Sequence, residues 1–405
     1  MKILFIGSLC STRFYKEGLK NGIRFDNAAL ILQKKLINAL TLNKSNVDYL
    51  LTAPNISFRD KKILPREIFS LNSTKNCLSV GFLNIPGLKQ LYLYQKSNDI
   101  IKNVENIDVI LVYSIQSHLL RWACQYKKHN PTTKIVLIVT DLPEYMSSNK
   151  GIIYLLMKKI ESKLVKYNID AIDGYILLSS AMQDKLTHSH DKSIIIEGIA
   201  SNPKKTPIIN RKDLNLFKIC YTGSLTERYG VKNLIDAFLL TECTNYRLII
   251  CGSGGLEKYI LQCSEKDKRI IYKGQLSPHE VHEQQILSDL LINPRDSSDE
   301  YNKYSFPSKT IEYLQSGTPC LICKMESIPN EYFNYCYSVN NMTIETIKKA
   351  IIDISSKSAN ERKKLGLQAK EFIDSNKNEL VQGKKIIQFL EKLSYRNLHH
   401  SNWNQ

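Results

Sequence analysis

The stretch Lys303–Pro319, KYSFPSKTIEYLQSGTP, gathers a hydroxyl, an ammonium and a carboxylate around the start of one helix. Pro307 suits the first helical turn, where its missing N–H is not needed. Gly317 suits the stop, with Pro319 just beyond it. Ile311 and Leu314 would face a sheet. Ser308 and Glu312 are four apart and Lys309 and Glu312 three apart, which sets them on one end or flank of the helix. The N–H groups of Ser308 and Lys309, together with the hydroxyl and the ammonium, would hold an anion such as a diphosphate. Glu312, one turn deeper, would accept hydrogen bonds from sugar hydroxyls. Taken alone, the segment reads equally well as a capped helix with an exposed Lys–Glu pair.

Its company weighs against the plainer reading. YTGSLTERYGVKNLIDAF, LIICGSGG, IIYKGQLS and LLINPR precede it in order, each with a strand running into a turn. The same alternation fills the other half. KILFIGS leads to a helix over about Asp26–Leu42, DVILVYS to HLLRWACQYKKH, KIVLIVTD to a helix near Ile152–Tyr167, and GYILLSS to AMQDKL, before SIIIEGI closes it. Strands alternating with helices imply parallel sheets. The expected architecture is α/β, two Rossmann-like domains in tandem with a ligand cleft between them. Residues 1–200 form the first domain and 201–212, polar and proline-containing, a linker. Residues 213–378 form the second domain, and 379–405 a C-terminal helix to about Tyr395 with a polar tail.

The bulk numbers agree with that size. A chain of 405 residues with 43% hydrophobic and 23% charged residues folds as more than one domain. A net charge of +17 favours anionic partners: phosphorylated substrates, an anionic membrane surface or nucleic acid. Ten scattered cysteines show no disulfide framework, and the single C-x-x-C, Cys320–Cys323, lacks the second pair of a zinc site. A reduced cytosolic chain is expected. MKILFIGSL has no signal-peptide pattern and no window reaches ~18 apolar residues, so no membrane crossing is expected. Lysine-rich segments such as Lys158–Lys166 could still rest on anionic lipid.

These motifs resemble family 4 retaining glycosyltransferases (glycosyl transferases group 1) of the two-domain GT-B fold, of the type found in bacterial surface-polysaccharide clusters. The resemblance covers nearly the whole chain and is most specific over Cys220–Pro319. It implies that the C-terminal domain holds a nucleoside diphosphate sugar and the N-terminal domain an acceptor. Glu312 matches the second glutamate of the family's E-x7-E and would bind the donor ribose. The first glutamate falls at 304, where this chain has Tyr304. A subset resembling this chain carries FPSK there, so Ser308 and Lys309 would take over diphosphate contacts, with Arg295 or Glu300 as helpers. The family's basic pair falls at Ser224 and Tyr229, which makes the adjacent Arg228 the substitute cation; a solvated arginine is the alternative.

By the same resemblance Gly223 would let the backbone approach the phosphates, and Gly252 and Gly254 would shape the donor pocket. The loop at Tyr272 would flank the base. GSLCSTRFYKEG sits where the family has a loop over the donor phosphates. Asp141 stands at a strand end where many relatives have a histidine; it would bond a donor-sugar hydroxyl or the acceptor, or else cap a turn. His118 is its runner-up, and Glu197 a further candidate for the cleft.

The implied reaction moves a glycosyl unit, with retention, onto a hydroxyl of a glycan acceptor carried on a polyprenyl lipid, at the inner face of the cell membrane. It would serve O-antigen, capsule or exopolysaccharide synthesis. Lys309, Arg228 and helix N–H groups would stabilise the leaving diphosphate. No cofactor is called for. With no D-x-D at a strand end, metal independence is expected. Three alternatives stay open: a GT-B nucleotide-sugar epimerase, an inactive scaffold (given Tyr304, Ser224 and Tyr229), and a basic nucleic-acid-binding protein. The last lacks an aromatic-interleaved basic stripe.

Overall fold

The structure, a computed structural model, describes residues 1–400 except 46, 58, 72–73, 86–87, 143–151, 188 and 202–214. All of the expected linker but Ser201 lies outside the described residues, as does the end of the polar tail. The chain divides into two compact units, Met1–Ile199 with Glu379–Gln405, and Ala200–Asn378.

The strands of the first unit are β1 Ile3–Gly7, β2 Val47–Thr52, β3 Ile63–Leu64, β4 Glu67–Leu71, β5 Thr74–Ser79, β6 Phe82–Leu83, β7 Val109–Tyr113, β8 Lys134–Val139, β9 Gly174–Leu177 and β10 Ser193–Ile195. Eight of them build one sheet in the order β10-β9-β8-β7-β1-β2-β5-β4, while β3 pairs with β6. Neighbours in the large sheet run parallel except β4 against β5. VILVY and KIVLIV are buried along their whole length, as parallel strands covered on both faces must be. The helix Asn27–Leu42 starts where Asp26 caps it, its carboxylate accepting from the Ala29 N–H at 3.1 Å.

The C-terminal helix Glu379–His400 belongs to this first unit and runs past the expected end near Tyr395. Phe389, Leu390 and Leu393 are buried. Gly383 lies so close to the helix Asn27–Leu42 that a Cβ there would sit 2.2 Å from the Ala39 carbonyl oxygen. Sequence periodicity finds the helix but not the surface it covers. The strands between β2 and β7 carried no signal either, because two of them are only two residues long.

The second unit holds β11 Phe217–Thr222, β12 Tyr246–Cys251, β13 Ile270–Tyr272, β14 Leu290–Asn293, β15 Cys320–Cys323 and β16 Tyr337–Val339. They form an all-parallel sheet in the order β13-β12-β11-β14-β15-β16. Cys320 and Cys323 are buried within β15 as core, and all ten cysteines are free. The chain winds outward from β11 to β13 and then crosses back to β14 on the other side. Strand order therefore reverses between β11 and β14, and a crevice opens outside their carboxyl ends. In the first unit β1 stands in the same way between β2 and β7. No described helix is long and apolar enough to cross a membrane.

Candidate active site

The residues that open the sequence analysis lie at the β11/β14 reversal. The helix runs Lys309–Ser316, with Ser308 as N-cap and Gly317 at the C-cap in the left-handed region (φ 80°). Pro307 is one residue outside the cap and not in the first turn as the sequence implied. Its carbonyl accepts from the Thr310 N–H at 2.8 Å, closing the turn that leads into the helix. Ile311 and Leu314 are buried as expected.

Lys309 Nζ and Glu312 Oε2 are 2.7 Å apart and both side chains stay partly exposed. The other Glu312 oxygen, Oε1, accepts from Gln285 Nε2 at 2.6 Å. The same Gln285 nitrogen reaches Thr222 Oγ1 at 3.1 Å. The Thr222 N–H donates to the Tyr313 hydroxyl at 2.9 Å, and that hydroxyl donates to the Thr222 carbonyl at 3.1 Å. Thr318 Oγ1 holds the Gln285 carbonyl at 2.9 Å. A polar chain thus runs from the end of β11 through the helix Pro278–Ile286 to the exposed carboxylate of Glu312. Gln285 is fully buried, so Glu312 is aimed from beneath. Neither Gln285 nor Tyr313 stood out in the sequence. The available signal was a glutamine four residues after Val281, on the stripe where a helix usually buries apolar side chains.

The glycine turns after β11 and β12 close on one another. A Cβ on Gly252 (φ 142°) would sit 1.8 Å from the Gly223 carbonyl oxygen, and one on Gly254 (φ 154°) would lie 2.5 Å from that of Leu225. The Leu225 N–H donates to Ser253 at 2.9 Å and the Leu256 N–H to Leu225 at 3.0 Å. The Tyr272 hydroxyl, from the end of β13, donates to the Gly252 carbonyl at 3.0 Å. These glycines have a packing reason of their own, independent of any ligand.

Two arginines share one ring beside these turns. The Arg228 guanidinium lies 4.0 Å and that of Arg295 4.8 Å from the centre of Tyr301, and Arg295 is also 5.2 Å from that of Tyr229. Arg228 Nε donates to Asp299 Oδ2 at 2.8 Å. Arg295 is buried; its Nε donates to the Asn302 side-chain oxygen, while its Nη2 finds no hydrogen-bond partner among the described residues. Burial raises the Asp299 carboxyl, but Arg228, the Tyr301 N–H and the Arg295 charge together hold it below its ordinary range. Tyr304, in place of the expected glutamate, ends the short helix Tyr301–Tyr304.

In the first unit, Asp141 follows the end of β8 and is partly exposed, while 143–151 lie outside the described residues. His118 sits on the helix Ser117–His129 beyond β7. It is buried against Trp122, with both ring nitrogens lacking partners, and burial followed by the Lys89 charge holds it well below the ordinary histidine range. Glu197, just after β10, is buried. Among the described residues no group of three or more His, Cys, Asp or Glu side chains is placed to hold a metal ion.

Residues 204–372 match the family model for glycosyl transferases group 1, a span inside the second unit. No curated protein sequence matches the chain. Its backbone is similar to that of the apo lipopolysaccharide outer core galactosyltransferase WaaB, at 16% identity over 96% of this chain and 99% of that one, with a TM-score of 0.63. It is similar to HepE from Anabaena in complex with UDP, at 13% identity over 96% and 100%, TM-score 0.62. It is also similar to a putative UDP-N-acetylglucosamine 2-epimerase from Listeria monocytogenes, at 13% identity over 96% and 95%, TM-score 0.57.

The fold is GT-B. Both Rossmann-like units expected from the sequence are present, and the matched family segment contains the Thr222, Gln285 and Glu312 chain. In this GT-B protein the site of the second unit thus has two clusters: Lys309 with Glu312, and Arg228 with Arg295 around Tyr301.

Proposed function

We infer that the protein is a glycosyltransferase that takes a sugar from a nucleoside diphosphate donor held in its second unit and passes it to an acceptor hydroxyl. The observation that carries this is the Gln285–Glu312–Lys309 chain at the β11/β14 reversal. It presents a carboxylate for hydroxyl recognition beside a cation and a helix start, a pairing that a nucleoside diphosphate requires and nucleic acid does not. The family match over the same residues supports the reading.

In this reading Ser308 and Lys309 hold the diphosphate and Glu312 the donor ribose. Arg228 and Arg295 add positive charge as the diphosphate leaves. Gly223, Gly252 and Gly254 shape the pocket floor, and Tyr272 lies toward the base. Asp141 is assigned to a sugar or acceptor hydroxyl in the first unit. His118 is less suited to such a role, since it is buried and neutral. Transfer with retention, without a metal ion, onto a lipid-linked glycan of a surface polysaccharide completes the proposal. Those finer points rest on the sequence resemblance.

The test is thermal stability with UDP, GDP, ADP and CMP and their common sugars. A ligand at a hundredfold over its Kd stabilises by about 2.7 kcal/mol, several degrees for a protein of this size. A shift with one base, lost in Lys309→Ala, supports the donor site and names the nucleotide; no shift with any of them overturns it. Incubating the sugar nucleotide without acceptor then separates transfer from epimerisation.

A further inference from the structure

The helix Leu88–Gln95 is inside out. It buries Lys89, at 6% exposure, beside Leu93, and turns Leu88, Leu91 and Tyr92 outward, each about half exposed. Leucine and tyrosine at spacings of three and four mark one face of a helix, and here that face is the outer one. Lys89 reaches in so that its ammonium lies 4.9 Å from the Phe82 ring centre and 3.4 Å from the Pro54 carbonyl oxygen.

The strands next to this helix repeat the inversion. β3 and β6 pair antiparallel, with Leu64 opposite Phe82 and Ile63 opposite Leu83. Directly opposed residues point to the same side of a strand pair. Leu64 and Phe82 are buried, so Ile63 and Leu83 face outward together, at 65% and 56% exposure. Ile85, 41% exposed, lies between the strand pair and the helix in sequence. The Asn84 side chain fixes that connection, donating to the Ile56 and Lys61 carbonyls at 2.9 Å each. Six large apolar side chains on two adjoining elements exceed the scattered apolar residues of an ordinary surface.

The charge around them identifies what they meet. Arg59–Arg66, RDKKILPR, holds four basic residues and one acidic one. The acid, Asp60, is already bound by Arg24 at 3.0 Å. Arg59, Lys62 and Arg66 are exposed. Apolar side chains ringed by free positive charge fit a surface that is hydrocarbon inside and anionic outside. A second copy of the chain would set the same cations against each other. Nucleic acid would leave the leucines uncovered.

We propose that the β3/β6 pair and the helix Leu88–Gln95 form a docking face that seats the first unit on an anionic lipid bilayer. This deepens the proposed function, since a lipid-linked acceptor is presented at such a surface, and it rests on that reading for its purpose though not for its geometry. The helix segment Lys158–Lys166, also basic, exposes Ile160 as its one large aliphatic side chain and is the weaker anchor.

The test is co-sedimentation of the full chain with vesicles of phosphatidylglycerol and phosphatidylcholine in equal parts, and with phosphatidylcholine alone. Binding is expected on the anionic vesicles, about tenfold weaker on the neutral ones, and weaker still as salt rises. A variant carrying Leu88→Ser, Leu91→Ser and Tyr92→Ser should lose at least about tenfold in vesicle affinity. Its melting temperature and its nucleotide-induced shift should stay those of the wild type, because the changed side chains are exposed and lie outside the second unit. Wild-type protein that ignores anionic vesicles overturns the proposal. A variant that sediments like the wild type does too, and moves the contact to Lys158–Lys166. A dimer in solution that the variant abolishes would assign the face to a second copy instead. The nucleotide shift, read separately, shows whether the transferase reading stands in each case.

Discussion

Gln285 Nε2 donates to Glu312 Oε1 at 2.6 Å, so a fully buried amide sets the position of a half-exposed carboxylate. Gln285→Ala leaves Thr222 Oγ1 and Glu312 Oε1 without that donor and opens space beneath the helix Lys309–Ser316. The expected cost is about 1–3 kcal/mol of stability. Nucleotide affinity should fall as well, because Glu312 is then held by Lys309 alone. Urea unfolding and a nucleotide titration check both; an unchanged nucleotide Kd would remove Gln285 from the site.

Arg228 is held by Asp299, and a donor phosphate would compete for the same guanidinium. Asp299→Asn keeps a side-chain oxygen to accept from the Tyr301 N–H, the 3.0 Å bond that opens the short helix. It removes only the competing charge. Nucleoside diphosphate should bind roughly threefold tighter to this variant at low salt, with the gain shrinking at high salt. Arg228→Ala should bind more weakly than the wild type. Calorimetric titration of both variants decides the point, and weaker binding by Asp299→Asn would count against Arg228 as a phosphate contact.

Gly252→Ala places a Cβ where the Gly223 carbonyl oxygen lies, at 1.8 Å, on a backbone of φ 142°. The two turns must part or the strand ends must shift. A loss of about 2–4 kcal/mol is expected in the second unit. Denaturant unfolding of the full chain measures it.

Lys89 makes stability depend on pH. Burial pulls its ammonium from the ordinary 10.5 down to about 8, against the opposing charge of Glu161. Because the folded value is the lower one, the unfolded chain binds more protons between about pH 8 and 10.5, and stability rises with pH across that window. Below pH 8 the full penalty applies. Lys89→Met should therefore stabilise the protein at pH 7 by up to about 3 kcal/mol and abolish its share of the alkaline rise. Urea midpoints of wild type and variant at pH 7 and pH 10 give the difference; a variant less stable at pH 7 would refute the assignment.

Much of the frame was legible from local pattern. Apolar runs such as KIVLIV and FKICYT are strands because no other element buries both faces of so short a segment, and Asp26, Ser308 and Gly317 mark helix ends by their own backbone chemistry. The spacing of Lys309 and Glu312 likewise placed an ammonium and a carboxylate side by side, and they are. The shift of Pro307 to a position outside the cap was not legible, because it depends on the turn that its carbonyl closes with Thr310.

The chain alone therefore determined the elements, their doubling into two Rossmann-like units and the pair at the head of one helix, since each follows from residues within a few positions of one another. Only the tertiary structure decided the order β13-β12-β11-β14-β15-β16, and with it the reversal that brings Thr222, Gln285 and Glu312 together across stretches of sequence far apart. It also decided that Arg228 and Arg295 meet on Tyr301, that the C-terminal helix covers the first unit, and that Lys89 goes in while Leu88 and Leu91 stay out. A helix pattern gives the angle between side chains, but which face is buried depends on what packs against it.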